Sequence, residues 1–393
     1  MRRIGRLVLS AGLLDLAFYV ALPAASAFGA PKETPIPGPY TPAAECGKCH
    51  TSMFKYWSES THARAVQSDL FGLVLVRAMT ISSDGAETRR QCVGCHAPTT
   101  LVTGDLELKD AISREGVTCD FCHTVSDVDL DRGWHPFVLD PGPKKRGPFA
   151  YAKPFKGHEA EYSALHRAKP LLCAGCHEFR NGNGILVLST YTEWKQGPYA
   201  GRGVSCQDCH MALVPGTRVK EGLEQGTAGA RVVNLHRLVG GTSLGQLNRG
   251  VSLKIESVTV TGSSAIVRMA VSNPGAGHSV PGGLPTKSLV LVAGLEGEGG
   301  RLSATQERVY RRELRDSRGS PLKGLAEIFV KAKSEGQDTR LRPQETRTER
   351  MSLPLNQGSR AVVARLEYRD SADDRSPARV AVVTEVRWEL KSR

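Results

Sequence analysis

No cysteine follows Cys209 in this 393-residue chain, so no disulfide staples its last third or more. Beyond residue 27 there is no apolar run of the roughly eighteen residues a spanning helix needs, which excludes a helical membrane span from the rest of the sequence. Methionine is scarce, with six in all, and aromatic residues make up only 6%. A fixed repeat is also missing: the cysteine pairs start 46, 27, 54 and 33 residues apart, which excludes a solenoid of regular period.

What is present is concentrated. All 10 cysteines fall into five Cys-x-x-Cys-His triplets and none is left over. They are Cys46-Cys49-His50, Cys92-Cys95-His96, Cys119-Cys122-His123, Cys173-Cys176-His177 and Cys206-Cys209-His210. A single C-x-x-C pair is compatible with half a zinc site, a redox dithiol or a disulfide. A histidine at the same offset five times is explained by none of these, and it is the signature of c-type haem attachment. Two intervening residues let one turn of backbone offer both thiols to the two vinyl groups on one porphyrin edge, while the next residue points its imidazole at the iron. The expected cofactors are five covalently bound haem c groups, with His50, His96, His123, His177 and His210 as proximal iron ligands.

Location follows from the other end. Met1 to Arg6 is basic, Leu7 to Ala21 is mostly apolar and Ala25-Ser26-Ala27 suits a cleavage site, so residues 1–27 read as an export signal peptide. Asp15 within the apolar run is unusual for such a signal and argues more strongly against a stable span. A periplasmic or extracellular protein is expected. Exported cysteines ordinarily form disulfides, but here haem claims every one.

Two domains are expected, giving a two-domain α + β fold. Residues 28–249 are rich in loops and short helical stretches and hold all five motifs together with 17 of the chain's 23 aromatic residues, including Phe54, Trp57, Phe121, Trp134 and Phe179, expected to pack against porphyrins. This is a haem-templated, mostly α/loop pentahaem cytochrome c domain. In residues 250–393 the texture becomes alternating. Val251, Leu253 and Ile255 share one strand face, Ala265, Val267, Met269 and Val271 another, and "SLVLVAGL", "AVVARLEY" and "RVAVVTEVRWEL" follow as strands. Short strands with turns between them predict an immunoglobulin-like antiparallel β-sandwich without its disulfide.

The formal net charge of +12 invites a nucleic-acid reading. Its distribution argues otherwise: residues 28–249 hold 25 Lys/Arg against 22 Asp/Glu, and residues 250–393 hold 24 against 17. Haem propionates would turn the first part acidic, leaving an acidic electron-carrying half and a basic sandwich able to steer a redox protein donor or acceptor, or a membrane-bound complex. Lys144, Lys145 and Arg146 are expected to pair with propionates.

Six histidines lie outside the motifs. His62 follows "WSES" on a stretch that reads as a helix leaving the first motif. His158 and His166 lie eight residues apart, near one face of a helix predicted to run into the fourth motif. His236 sits in "LHRLVGG", where glycines would admit a porphyrin. His278 lies in the Gly/Pro loop "NPGAGHSVPGG" between two predicted strands, from which it could reach back to a haem. His135, in "GWHPF", has the weakest context. Methionine ligation is disfavoured, because Met211 follows a proximal histidine, Met269 is patterned into a strand and histidines suffice.

These motifs, with "CGKCHTSMFKYWSESTHARA", "EGVTCDFCHTV", "LHRLVGG" and "NPGAGHSVPGG", resemble the multihaem cytochrome c-552/4-like family, which includes hydroxylamine oxidoreductase and its tetrahaem acceptor cytochrome, in bacterial forms carrying a C-terminal sandwich. The resemblance implies distal ligation by His62 and His278 and close-stacked haems that pass electrons along the protein. Electron transfer through mostly bis-histidine haems is therefore the expected function. The alternative is an oxidoreductase acting on a small nitrogen or sulfur compound at one open haem. No motif ends in lysine, as the catalytic one of pentahaem nitrite reductases does.

Overall fold

Four of the five triplets lie in short helices: Gly85–His96, Cys119–Thr124, Leu171–His177 and Cys206–His210. The first begins in Ala43–Gly47 and is continued by a turn in which His50 N–H donates to the Cys46 carbonyl at 2.9 Å. Helical spacing gives the motif its geometry, since residues at i, i+3 and i+4 share one face and the triplet presents its two thiols and its imidazole together. The computed structural model describes residues 38–149, 157–218, 232–371 and 378–390. The expected export signal at 1–27 lies outside the described residues. No helix among the described residues is long and apolar enough to cross a membrane.

Two helical expectations are revised. The helix after the first motif, Thr51–Ser58, stops short of His62. Ser60 turns the chain there by accepting from Ala63 N–H, and its own N–H donates to the Trp57 carbonyl. Between His158 and His166 there is no continuous helix: Glu159–Tyr162 is a strand paired in parallel with Lys144–Gly147, and only Ala164–Ala168 is helical. Pro170 then starts the separate helix that carries the fourth motif, as a residue without an amide hydrogen favours helix starts over interiors.

The C-terminal half is built on seven long strands: β1 (Ser252–Thr261), β2 (Ser264–Ser272), β3 (Ser288–Glu296), β4 (Leu302–Tyr310), β5 (Thr346–Pro354), β6 (Ala361–Asp370) and β7 (Arg379–Glu389). They form two antiparallel sheets, ordered β5-β2-β1 and β4-β3-β6-β7. One apolar core joins them, with Leu253, Ile255, Val267, Met269, Met351 and Leu353 from the first sheet and Leu289, Leu291, Leu295, Leu366 and Val383 from the second. The predicted alternation holds for β2, where Ala265, Val267, Met269 and Val271 are buried. It fails for β3, whose residues from Leu289 to Leu295 are all buried, and largely for β6. These two are the central strands of their sheet, and the central position calls for a continuous apolar run rather than an amphipathic one. Met269 and Met351 are core residues of this sandwich.

The two halves are closely joined, and the chain from Gly38 onward forms one compact unit. Val187, from the motif-bearing half, shares a small core with Leu314, Ile328 and Ala332. The buried Arg312 donates to the carbonyls of Leu186 and Val187 at 2.6 and 3.0 Å and to Ser189 Oγ at 3.1 Å. At Gly241 the space a Cβ would take is occupied by the Tyr368 hydroxyl of β6, 2.4 Å from where that carbon would lie. This glycine of "LHRLVGG" therefore admits a close approach of the sandwich.

Candidate functional site

A cavity of about 1500 Å³ runs through the motif-bearing half and is lined by cysteines and histidines of all five triplets. Phe54, Trp57, Phe121 and Phe179 line it as expected. Trp134 is not among its lining residues and instead packs on Gly94, whose absent Cβ would stand 3.0 Å from the indole ring.

Across this cavity the histidines come in pairs. His50 faces His158 with ring centroids 6.1 Å apart, His177 faces His62 at 6.2 Å, His123 faces His236 at 6.4 Å and His210 faces His278 at 6.2 Å. A metal–imidazole bond of about 2.0 Å plus a ring radius of about 1.1 Å, on each side of one ion, gives a centroid separation of roughly 6.2 Å. Each pair thus fits a single metal held between two imidazoles, and the residues present suit haem iron with histidine on both faces.

The second ring nitrogens support this orientation. Nδ1–H donates to a backbone carbonyl in His123 (Arg146, 2.5 Å), His210 (Val239, 2.5 Å), His236 (Asn234, 2.7 Å), His158 (Glu159, 2.9 Å) and His278 (Ser279, 2.9 Å). Such a bond fixes the tautomer and leaves Nε2 with its lone pair for a metal. Burial pushes His62, His177 and His236 down to about 4, so these rings are neutral at pH 7, the form that ligates. His62 Nδ1 is buried without a hydrogen-bond partner among the described residues.

Two sequence candidates stand apart. His166 lies 5.7 Å from His123, but both of its nitrogens are engaged: Nε2 with the Cys122 carbonyl at 2.7 Å and Nδ1 with Ser163 Oγ at 2.9 Å. Both His166 nitrogens are thus occupied, and His236 also faces His123, at 6.4 Å. His135 turns edge-on to Trp134, with centroids 5.8 Å apart. The second motif is the exception among proximal histidines. His96 donates through Nδ1 to the Ala65 carbonyl at 3.0 Å and stacks on Phe71 at 4.5 Å, and no second imidazole is paired with it among the described residues.

Local chemistry explains how distal histidines reach the cavity. Gly116 of "EGVTC", at φ +70°, brings its chain so close to His62 that a Cβ would stand 2.4 Å from the His62 carbonyl oxygen. Val117 N–H donates to that carbonyl at 3.0 Å, and Trp57 Nε1 donates to the Val117 carbonyl at 2.8 Å. His278 hangs from the loop between β2 and β3. Buried Asn273 braces this loop by donating through Nδ2 to the His278 carbonyl at 3.0 Å and the Leu341 carbonyl at 3.1 Å. Gly275 and Gly282 pass where a side chain would meet the Arg249 carbonyl and the His278 ring.

The triplets also approach one another. Cys46 interacts with Cys119, Cys95 with Cys176 and Cys173 with Cys206, which places the first motif beside the third and the fourth beside both the second and the fifth. Lys145 and Arg146 of the basic run at 144–146 line the cavity, and each residue of the run also has a carboxylate partner. Lys145 pairs with buried Asp120, Arg146 with Asp140 at 2.6 Å and Lys144 with Glu161 at 3.5 Å. Phe71 and Glu193 carried no motif signal and became visible only through their contacts.

Residues 45–124 match the family model described as cytochrome c554 and c-prime. Among solved structures, the chain is similar to a penta-heme cytochrome c552 from Thermochromatium tepidum, with a TM-score of 0.73 and 19% identity over 90% of this chain and 99% of that one. A β-glucosidase from Kluyveromyces marxianus also matches, at a TM-score of 0.16 and 11% identity over 35% of this chain and 14% of that one. No curated protein matches the chain.

Proposed function

We propose that this chain is a multihaem c-type cytochrome that carries electrons through five covalently attached haems, most of them held between two histidines. The four imidazole pairs at 6.1–6.4 Å carry the reading. Cys46, Cys49, Cys92, Cys95, Cys119, Cys122, Cys173, Cys176, Cys206 and Cys209 are the attachment sites. His50, His96, His123, His177 and His210 are proximal, and His158, His236, His62 and His278 distal to the first, third, fourth and fifth. Haem supplies a one-electron iron couple when bound. The protein's part is to hold neutral imidazoles on both sides at four of the five haems, which leaves no coordination position for substrate there, and to set neighbouring motifs side by side. Export to the periplasm or beyond, a pentahaem domain at 28–249 and an immunoglobulin-like sandwich at 250–393 complete the proposal, together with redox proteins as partners and kinship with the hydroxylamine oxidoreductase group.

A second reading applies to the second motif. His96 packs against Phe71 instead of facing a histidine, which suits one open coordination position and an oxidoreductase acting there on a small nitrogen or sulfur compound. A pyridine haemochrome assay should return five haems per chain. Ferric spectra distinguish conduction from catalysis: one high-spin haem that shifts on adding nitrite, hydroxylamine or cyanide supports the second reading, and wholly low-spin, unresponsive spectra exclude it.

A further inference from the structure

Helix Thr190–Gln196 lies between the fourth and fifth motifs in the chain and touches both the His278 loop and the sandwich. Its Glu193 side chain is largely buried and sits at the centre of a polar cluster from both halves of the chain. Glu193 Oε2 accepts from the backbone N–H of Ser279, the residue after His278, at 3.0 Å. Oε1 accepts from Ser189 Oγ at 2.6 Å and from Arg340 at 2.8 Å. Arg340 is itself locked in a bidentate pair with Asp338, at 2.9 and 2.7 Å. On the other side of the loop, Val280 and Leu341 exchange backbone hydrogen bonds at 2.9 and 3.1 Å. The same helix is tied to the fifth motif's approach, because Trp194 Nε1 donates to the Val204 carbonyl at 2.8 Å, two residues before Cys206.

This cluster has a direction. The Ser279 carbonyl is the acceptor for His278 Nδ1–H at 2.9 Å, so the residue that orients the ring is the residue whose amide Glu193 grips. A carboxylate bonded to a backbone amide and paired with a guanidinium makes charge-assisted bonds that are shorter and stronger than neutral ones. Fixing Ser279 therefore fixes both the position of the imidazole and its rotation about the axis towards His210.

We infer that Glu193 is a positioning residue for His278: through the Ser279 amide it sets the distance and plane of the distal imidazole opposite His210. This rests on the proposed ligation of the fifth haem by His278. It gives the sandwich a specific task, since Arg340 and the His278 loop both belong to it while Glu193 and His210 belong to the motif-bearing half. Movement between the halves would be felt at one iron before any other.

The test uses the full-length holoprotein and low-temperature electron paramagnetic resonance with a redox titration, comparing wild type, Glu193→Ala, Glu193→Gln and His278→Ala. In Glu193→Ala, one low-spin signal should shift its g-values or convert partly to high spin, with a matching shift of one potential out of five. Glu193→Gln keeps an acceptor for Ser279 N–H and should restore most of the wild-type signal. Arg340→Lys, which retains charge but loses the bidentate pair, serves as the milder variant should Glu193→Ala fail to fold, and should move the same signal by less. If His278→Ala alters one haem while Glu193→Ala and Arg340→Lys change only thermal stability and leave every g-value in place, Glu193 is merely structural and the inference is wrong. If His278→Ala itself alters no haem, the ligation it rests on fails first.

Discussion

The imidazoles of His210 and His278 lie 6.2 Å apart and within 15° of parallel, although one belongs to the last Cys-x-x-Cys-His triplet and the other to a loop of a β-sandwich. Nothing in the local sequence of either dictates the meeting. It is produced by a loop that links β2 of one sheet to β3 of the other, braced by Asn273 and by Glu193 from the facing helix. The sandwich is thus part of the candidate site as well as attached to it.

Replacing His278 with alanine should convert one haem from low to high spin and loosen the sandwich from the motif-bearing half. Absorbance near the high-spin charge-transfer band and limited proteolysis read the two effects. Unchanged spectra would remove His278 from the ligand set.

His166 and His236 make opposite predictions although both rings lie near that of His123. His236→Ala should produce a high-spin haem, because His236 is the ring placed 6.4 Å across from His123. His166→Ala should leave all low-spin signals in place, because its nitrogens serve the Cys122 carbonyl and Ser163. A new high-spin signal in the His166 variant would reverse the assignment.

Acid should expose His166 in another way. Burial pushes its imidazole down to about 4 from an ordinary value near 6.5. A base whose folded pKa is depressed binds more protons when unfolded, so its contribution to stability is present above about pH 6.5 and is lost as pH falls towards 4. Urea midpoints should therefore decline between these values in wild type, and decline less steeply in His166→Phe. Parallel curves would show that other groups govern acid sensitivity.

Gly116→Ala should be costly for two reasons: φ of +70° disfavours any side chain, and the new methyl would collide with the His62 carbonyl at 2.4 Å. A loss of about 1–3 kcal/mol is expected from strain of this kind, together with disturbance of the haem facing His177. Gly104→Ala, also at positive φ but with nothing within 4 Å, should cost less, and equal losses would mean that the backbone angle alone is responsible.

Met269→Ala should leave a cavity between the two sheets, where Met269 is fully buried. Destabilisation of about 2–5 kcal/mol follows from core truncations of this size. Haem spectra should remain as in wild type at low denaturant. A spin-state change in this variant would show that the sandwich core itself bears on the distal His278.

The five triplets were legible at once because their chemistry is local: one turn of backbone brings two thiols and an imidazole onto one helical face, and no distant residue is required. The strand alternation of β2 was legible for the same reason, since one face meets the core and the other does not. For β3 and β6 the amphipathic expectation failed, because an inner position in the sheet is a property of strand order, which neighbouring residues do not encode. Among the candidate distal histidines, the family resemblance singled out His62 and His278, and the rest were recognisable only as a pool. Sequence separated none of His62, His158, His236 and His278 from His166 by geometry; the difference is which ring nitrogen meets a carbonyl, Nδ1 in His158, His236 and His278 but Nε2 in His166. That is settled by contacts between segments far apart in the chain, such as Gly116 against His62, Cys122 against His166 and Glu193 against Ser279. Chain order dictates where porphyrins can be tethered, and tertiary packing decides which imidazoles face one another across the cavity.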